Sequence, residues 1–454
     1  MALQTINPAT NELVKNFDEH SEEEVKDIIN KSHETYLKWR KKTYSERAPL
    51  MKKAAEYLRS NKRKYAETLT LEMGKPITQA IAEVEKCAFV CDYYADNTEN
   101  ILAFEPLKSD ASKSYVRFDP IGIVLAVMPW NFPFWQVFRF AAPALMAGNT
   151  GILKHASNVP MSALAIEEVF REAGFPEHAF RTLLIGSRQV EAVVNNPLVK
   201  ATTLTGSEVA GQHVAGASGK NLKKSVMELG GSDPFIILED AELDEAIATG
   251  VKARLINNGQ SCIAAKRFIV VEKVYDQFEK AFKERMEAVK IGDPMHEDTE
   301  LGPMAREDLM LELHDQVKKS VEKGARVVTG GAPLEREGVY YPATILADVV
   351  PGVPAYHEEL FGPVAIVIKA RDEADAIHIA NDTDFGLGSS IWTKDTDKAQ
   401  KLAGEIDSGS VFINGMVKSD PRLPFGGVKI SGYGRELSHY GIKEFVNIKT
   451  VWVK

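Results

Sequence analysis

The chain has 454 residues, of which 44% are hydrophobic and 26% charged, so it is predicted to be a globular protein of two or three domains rather than a disordered or fibrous one. Its formal net charge of -9 disfavours nucleic acid and anionic membrane as partners, and we expect neither. Three cysteines cannot build a disulfide scaffold, and the sequence has no signal peptide and no long apolar run, so a cytoplasmic location is predicted.

Helical sequence dominates the first hundred residues. Ser21 and Glu24 have the spacing of a capping box ahead of an amphipathic helix, and helical patterns continue over 45–73 and again after Pro76. A polar segment follows, and the alternation in SYVRF within it predicts an exposed strand.

Two series of short apolar runs follow, separated by helical sequence. The first comprises IGIVLAV, GNTGILK, FRTLLIG, KATTLTG and SVMEL, and the second comprises PFIILED, RFIVVEK, RVVTGG, FGPVAIVIKA and SVFING. Continuous apolar runs are typical of strands buried on both faces, and their alternation with helices predicts an α/β fold with parallel sheets. Ligands of such sheets bind beyond the carboxyl ends of the strands. The tail, EFVNIKTVWVK, is predicted to be an edge strand, and GASGK at 216–220, which lacks P-loop spacing, is predicted to be a loop.

Cys262 is the candidate nucleophile among the three cysteines. It lies in NNGQSC, a glycine-bearing segment between a helix and a strand, where functional residues concentrate. A lone cysteine is more often a small buried apolar residue, and a nucleophilic role requires a lowered thiol pKa. Cys87 and Cys91 are four residues apart on a predicted helix without further metal-ligating neighbours, so we expect them to pack in the core. No metal site is predicted.

Three further motifs are ambiguous when taken singly. Glu228 ends an apolar strand in MELGG and is either a base acting through water or an ordinary acid at a strand end. Asn131 in PWNFP is either an oxyanion donor or a turn-former. Gly206 and Ser207 open a helix after a strand, as a pyrophosphate site requires, but the G-x-G-x-x-G pattern is absent.

Taken in order, PWNFP, GILK, TGS, MELGG, GQSC, EELFGPV and PFGGVKISGYGRE resemble the aldehyde dehydrogenase superfamily, from NPAT at residues 7–10 to the C-terminal strand. The details in the middle of the chain are similar to the succinate-semialdehyde dehydrogenase branch. The resemblance implies a Rossmann-type cofactor domain at 1–103 and 121–228, an α/β catalytic domain at 229–441, and oligomerisation strands at 104–120 and 442–454.

The resemblance also implies residue roles. Cys262 would attack the aldehyde carbon, Asn131 and the Cys262 backbone N–H would hold the oxyanion, and Glu228 would activate water to hydrolyse the thioester. The nicotinamide cofactor would contact Trp130, Lys154, Ser157, Gly206, Ser207, Leu229, Glu359 and Phe361, and the substrate would contact Arg139, Ser261 and Ser419. Arg139 would bind a substrate carboxylate because it follows Asn131 by the spacing found in succinate-semialdehyde dehydrogenases.

One departure from the family pattern bears on the cofactor. The usual Lys-Pro-Ser-Glu run is Lys154-His155-Ala156-Ser157 here, without the acid that would repel a 2′-phosphate. We therefore expect NADP as the cofactor, with NAD as the alternative. The expected function is oxidation of an aldehyde, with succinate semialdehyde as the favoured substrate, to its carboxylic acid by a homodimer or homotetramer. Glutarate semialdehyde as substrate, acyl transfer to coenzyme A, and a non-catalytic protein on the same fold are the alternatives.

Overall fold

The computed structural model describes residues 3–454. The helices are α1 (Glu22–Trp39), α2 (Tyr44–Ser60), α3 (Lys62–Met73), α4 (Ile77–Ile101), α5 (Trp135–Ala147), α6 (Pro160–Glu172), α7 (Val190–Asn195), α8 (Glu208–Lys220), α9 (Leu243–Leu255), α10 (Glu272–Glu287), α11 (Glu307–Glu322), α12 (Pro354–His357), α13 (Glu373–Asn381), α14 (Thr396–Ala403) and α15 (Ser438–Glu444). None of these helices is both long and apolar enough to cross a membrane.

The strands are β1 (Leu3–Asn7), β2 (Glu12–Phe17), β3 (Glu105–Pro106), β4 (Lys113–Pro120), β5 (Ile123–Met128), β6 (Thr150–His155), β7 (Phe180–Thr182), β8 (Val199–Thr205), β9 (Lys224–Glu228), β10 (Asp233–Ile237), β11 (Ala265–Val271), β12 (Arg326–Thr329), β13 (Thr344–Ala347), β14 (Val364–Ala370), β15 (Ser389–Trp392), β16 (Val411–Ile413), β17 (Gly432–Tyr433) and β18 (Val446–Val453).

The first large sheet has the order β17-β9-β8-β5-β6-β7, in which all neighbours are parallel except β17. The chain moves outward from β5 through β6 and β7, then returns to the other side of β5 with β8. The strand order therefore reverses between β5 and β8, and an α/β sheet binds its ligands at the carboxyl ends of such a pair. These ends lead into Trp130 and Asn131 from β5, and into Gly206 and Ser207 from β8.

The second large sheet has the order β12-β13-β14-β11-β10-β15-β16, with β12 antiparallel to its neighbour. Alternate residues of its central strands enter two separate cores: Ile236 of β10 lies in one, and Phe235 and Ile237 lie in the other. Burial on both faces explains why these strands are continuously apolar, as the sequence predicted. Strands β13 and β15 were not predicted, since each has four residues and their sequences, TILA and SSIW, are too short to show a period.

A third, three-stranded sheet has the order β18-β4-β3. It is formed by the two segments predicted to be oligomerisation strands, and it exposes apolar side chains such as Ile448 and Trp452. Strand β17 belongs to the first sheet, although its residues fall within the segment 229–441 that was predicted to form the catalytic domain. The domain boundaries stay a prediction.

Two local predictions were confirmed and one was wrong. Ser21 and Glu24 form the predicted capping box of α1, and Cys87 and Cys91 are fully buried. The segment 216–220, predicted to be a loop, is the end of α8. Its residues continue the buried face of α8, and this packing outweighs the low helix propensity of the glycines.

Candidate active site

The segment that carries Cys262 begins with a run of residues in the left-handed conformation after α9. Asn257, Asn258 and Gly259 have φ angles of 57°, 57° and 74°. Asparagine tolerates this conformation better than most residues, and a Cβ at Gly259 would lie 2.4 Å from the Gly362 backbone. The sequence NNG therefore turns the chain sharply and places Cys262 just before β11, where its partly buried side chain faces a cavity.

Asn131 reaches the same segment from the carboxyl end of β5. Its side-chain Nδ2 donates to the Gln260 carbonyl at 3.1 Å, and its own carbonyl accepts from Asn257 Nδ2 at 2.7 Å. Asn257 Nδ2 also donates to the Gln260 carbonyl, at 3.0 Å. An amide carries two N–H groups, so Asn131 keeps one free for the cavity that it shares with Cys262. This is the donor that an oxyanion at the thiol requires.

Lys266 contacts the segment that carries Cys262, although sequence analysis did not single it out. Its ammonium donates to the carbonyls of Ser261 at 2.8 Å and Cys262 at 2.9 Å, and it pairs with Glu359 at 3.1 Å. Burial raises the pKa of the Cys262 thiol to about 12, and the Lys266 charge is the main influence that lowers that pKa. A lysine inside the apolar strand AAKRFIV was the signal that could have identified it, because a buried charge requires partners.

Glu228 ends β9 in a buried position, and neither of its carboxylate oxygens has a hydrogen-bond partner among residues 3–454. Burial raises its pKa well above the usual range, and the neighbouring Glu436 carboxylate raises it further. Arg139 and Arg435 act in the opposite direction. The protonated form of Glu228 is therefore favoured more strongly here than it would be in water.

Arg139 lies in α5 and is not on the wall of the cavity that Cys262 lines. Its guanidinium forms a buried ion pair with Glu436, donates to Thr205 Oγ1 at 3.1 Å, and stacks 4.7 Å from the centre of the Phe425 ring. Glu436 belongs to the quoted motif PFGGVKISGYGRE, but nothing in the sequence indicated that it would meet Arg139. The predicted contact between Arg139 and a substrate carboxylate stays a prediction, and the guanidinium already has a carboxylate partner.

A cavity of about 510 Å³ lies where the carboxyl ends of β5 and β8 face the amino ends of β11 and β14. It brings together most of the residues predicted to act on aldehyde and cofactor: Trp130, Asn131, Gly206, Ser207, Leu229, Cys262, Glu359 and Phe361. The Trp130 and Phe361 rings meet edge to face at 5.8 Å. Lys154, Ser157, Glu228, Arg139, Ser261 and Ser419 are not on its walls.

Lys154 lies near the carboxyl end of β6, and Ser157 follows that strand at the same edge of the first sheet. Burial lowers the pKa of Lys154, and within residues 3–454 no carboxylate lies within 4 Å of its ammonium. His155 links this segment to the Asn131 turn, because its Nε2 contacts the Pro133 carbonyl at 2.9 Å. Burial lowers the pKa of His155 to about 4, so the ring is neutral at pH 7 and Nε2–H donates to that carbonyl.

The two remaining predicted substrate contacts lie apart from the cavity. Ser261 is buried, and its hydroxyl has no hydrogen-bond partner among residues 3–454. Ser419 accepts hydrogen bonds from Lys86 and Trp135, which line a second cavity, of about 840 Å³. Lys86 was not singled out in the sequence.

Comparison with known proteins identifies related chains over the full length. Residues 1–451 match the model of the aldehyde dehydrogenase family. The chain is 52% identical to a probable succinate-semialdehyde dehydrogenase [NADP(+)] of Synechocystis, with 100% of both chains covered. It is 51% identical to a succinate-semialdehyde dehydrogenase [NADP(+)] of Mycobacterium avium, with 100% of this chain and 97% of the relative covered. The crystal structure of succinic semialdehyde dehydrogenase from Streptococcus pyogenes in complex with NADP+ superposes with a TM-score of 0.98 at 41% identity, covering 100% of both chains.

Proposed function

Because the chain belongs to the aldehyde dehydrogenase family, we propose that it oxidises succinate semialdehyde to succinate and reduces NADP. The observation that carries this proposal is the cavity in which Cys262 and Asn131 meet residues predicted to hold a nicotinamide cofactor. The names of the relatives and the NADP+ in the streptococcal structure support the choice of substrate and cofactor.

Cys262 is the nucleophile in this proposal. Its sulfur attacks the aldehyde carbon, and the carbonyl oxygen becomes an oxyanion held by Asn131 Nδ2 and the Cys262 backbone N–H. The high thiol pKa means that the attacking thiolate is a minor species in the structure described, so the Lys266 charge beside the Cys262 carbonyl favours the reactive form. Oxidation of the adduct leaves a thioester on the sulfur.

Glu228 is the base that activates water to hydrolyse this thioester. A protonated carboxyl cannot accept a proton, so the raised pKa of Glu228 makes hydrolysis faster as the pH rises through that pKa. Arg139, paired with Glu436, keeps this pKa from rising further. A coenzyme A-dependent enzyme would release the acyl group by thiolysis and would not require this base.

The residues fit an NADP cofactor at several points. Lys154 provides a cation without a carboxylate partner for a 2′-phosphate, and the Ser157 hydroxyl can donate to the same group. Gly206 and Ser207 open the 13-residue helix α8, whose N-terminus suits a pyrophosphate. When bound, the nicotinamide ring supplies the acceptor for the hydride that the aldehyde carbon loses.

Glu359 is placed to orient the ribose beside the nicotinamide. Its Oε1 accepts from the Gly231 N–H at 3.2 Å and pairs with Lys266, which fixes the carboxylate on the cavity wall. Trp130, Phe361 and Leu229 supply apolar walls that exclude water from the ring.

A direct test measures NADPH formation and identifies the acid produced. Purified protein with succinate semialdehyde and NADP should form NADPH and succinate in equal amounts, with a higher kcat/KM than with NAD, butanal or glutarate semialdehyde. Cys262→Ala is the control and should form neither product. A lack of turnover by the unmodified chain, or a clear preference for NAD or another aldehyde, would contradict the proposal. We also propose a cytoplasmic homo-oligomer that associates through the exposed three-stranded sheet.

A further inference from the structure

The turn that carries Asn131 leads directly into α5, and this helix begins without a cap from its own sequence. Its N-cap residue is Phe134, whose side chain has no oxygen to accept a hydrogen bond from the first turn. The first backbone N–H groups of a helix have no acceptor inside the helix. Because every residue of α5 is buried, the acceptor has to come from another part of the chain.

Glu83 of α4 supplies this acceptor. Its Oε1 accepts from the Phe134 N–H at 2.9 Å and from the Trp135 N–H at 3.0 Å. The carboxylate also faces the positive end of the α5 dipole, which favours the same arrangement. Two hydrogen bonds to one oxygen fix the direction in which the chain leaves the turn, three residues after Asn131.

Lys75 pairs with the other carboxylate oxygen of Glu83, and both side chains are at most 4% exposed. The pairing leaves neither charge buried alone, which is the condition under which buried ions are tolerated. The ammonium also lies 4.2 Å from the centre of the Phe132 ring, the residue that follows Asn131. The ion pair therefore contacts the turn through its cation as well as through its carboxylate.

The beginning of α4 also contacts the segment that carries Cys262. Gln79 Oε1 accepts from the Asn257 backbone N–H at 2.7 Å. Gln79 and Glu83 are four residues apart and lie on the same face of the helix. One rigid helix thus holds the turn and the Cys262 segment at a fixed separation.

We propose that Glu83, held by Lys75, is the positioning residue of the oxyanion donor. It caps α5 and so holds the turn in the orientation that points the free N–H of Asn131 toward the oxygen formed on the aldehyde. The inference rests on the proposed function, because it assigns Glu83 a role in the same step. If Glu83 acts through Asn131, its removal has no effect on that step once the Asn131 amide is gone.

The test removes the cap without leaving a charge buried alone. The double variant Lys75→Met/Glu83→Leu replaces the ion pair by apolar side chains of similar size, which folded proteins often tolerate, but it leaves two N–H groups of α5 without an acceptor. The readout is the single-turnover rate of NADPH formation at saturating succinate semialdehyde and NADP, per Cys262 thiol titrated in the folded protein, in which the other two cysteines are buried. We expect a loss of roughly ten- to a hundredfold, since a misplacement of about 1 Å can cost that much.

Two comparisons separate positioning from a general loss of stability. In the Asn131→Ala background, the apolar double variant should change the rate by less than about twofold, because changes that act through one group are not additive. Lys75→Met/Glu83→Gln returns an uncharged acceptor and should recover most of the rate, which loss of the ion pair alone would not allow. Glu83→Asp keeps the ion pair and protects folding but withdraws the oxygen by one methylene length, so it should show a smaller loss with the same dependence on Asn131.

Asn149→Leu is the matched control. Its buried Oδ1 also accepts from two consecutive backbone N–H groups, those of Ile121 at 2.8 Å and Gly122 at 3.1 Å, and it lines neither cavity. It should lower the unfolding temperature but leave the rate per titrated thiol within about twofold of the original.

An undiminished rate in the apolar double variant, or equal losses from it with and without the Asn131 amide, would overturn the positioning role of Glu83. If the unmodified chain formed no NADPH from any aldehyde, the proposed function itself would fail.

Discussion

Replacing Asn131 by alanine separates the catalytic role of its amide from its structural role. The side chain donates to the Gln260 carbonyl at 3.1 Å, and that carbonyl also accepts from Asn257 Nδ2 at 3.0 Å. The Gln260 carbonyl therefore keeps a donor in the variant, and the loss of one hydrogen bond of this kind costs about 0.5–1.5 kcal/mol of stability. We expect a folded enzyme with an intact nucleophile segment.

The kinetic effect should be much larger than the effect on stability. Loss of one oxyanion donor typically raises the barrier by about 2.7–4 kcal/mol, which lowers kcat by roughly a hundred- to a thousandfold. Single-turnover formation of NADPH reports the step in which the oxyanion forms and collapses, so the loss should appear there as well as in the steady state. Thermal unfolding should be measured on the same preparation.

Asn97→Ala is the matched control for Asn131→Ala. Asn97 also donates one side-chain hydrogen bond to a main-chain carbonyl, that of Tyr93 at 2.7 Å, and it lines neither cavity. Both variants should unfold at similar temperatures, and the Asn97 variant should keep its activity. A loss of less than about tenfold in the Asn131 variant would refute the assignment of its amide as an oxyanion donor.

Three further predictions concern the cofactor and the hydrolytic step. Ser157→Glu places a carboxylate near the predicted 2′-phosphate site, so the ratio of kcat/KM for NADP to that for NAD should fall roughly tenfold or more, and an unchanged ratio would remove Ser157 from that site. Glu228→Gln should release one equivalent of NADPH per active site in a burst and then turn over very slowly; unaltered steady-state turnover would show that Glu228 is not the base. In the unmodified enzyme, hydrolysis of the thioester should accelerate as the pH rises above the ordinary carboxyl range, because the raised pKa of Glu228 keeps the acid protonated below it. This limb of the pH profile should be absent in Glu228→Gln, and its persistence there would assign it to another group.

The alternation of apolar runs and helices predicted the α/β class correctly, because strands buried on both faces leave a strong mark in the sequence. The order of the motifs was equally informative, since seven ordered segments identified the family, which was confirmed by the match over residues 1–451. The short strands β13 and β15, and the antiparallel addition of β17 to the first sheet, have no period of their own. They are set by tertiary pairing, which local patterns do not record.

The candidate site was predictable where a residue acts through its position in the chain, and less so where it acts through a partner. Cys262 and Asn131 follow β-strands or turns whose sequences place them at a sheet edge, and the cavity brings them together. Glu436 raises the pKa of Glu228, from which it is distant in sequence. Lys266 lowers the pKa of Cys262 from within an apolar strand, where its charge was overlooked. Spacing placed Arg139 in the right helix, but it could not indicate that Glu436 occupies its guanidinium.

The balance of buried charge near the site bears on the phosphate expected of the cofactor. Around the site, Lys266 is paired with Glu359 and Arg139 with Glu436, whereas Lys154 has no carboxylate within 4 Å among residues 3–454. Keeping a buried cation without a partner is costly, and an anion that arrives with a ligand would offset that cost at Lys154. Lys154 lies near the carboxyl end of β6, at the edge of the first sheet where Ser157 follows the strand. A 2′-phosphate bound at this edge would supply the anion that Lys154 lacks, as the proposed use of NADP requires.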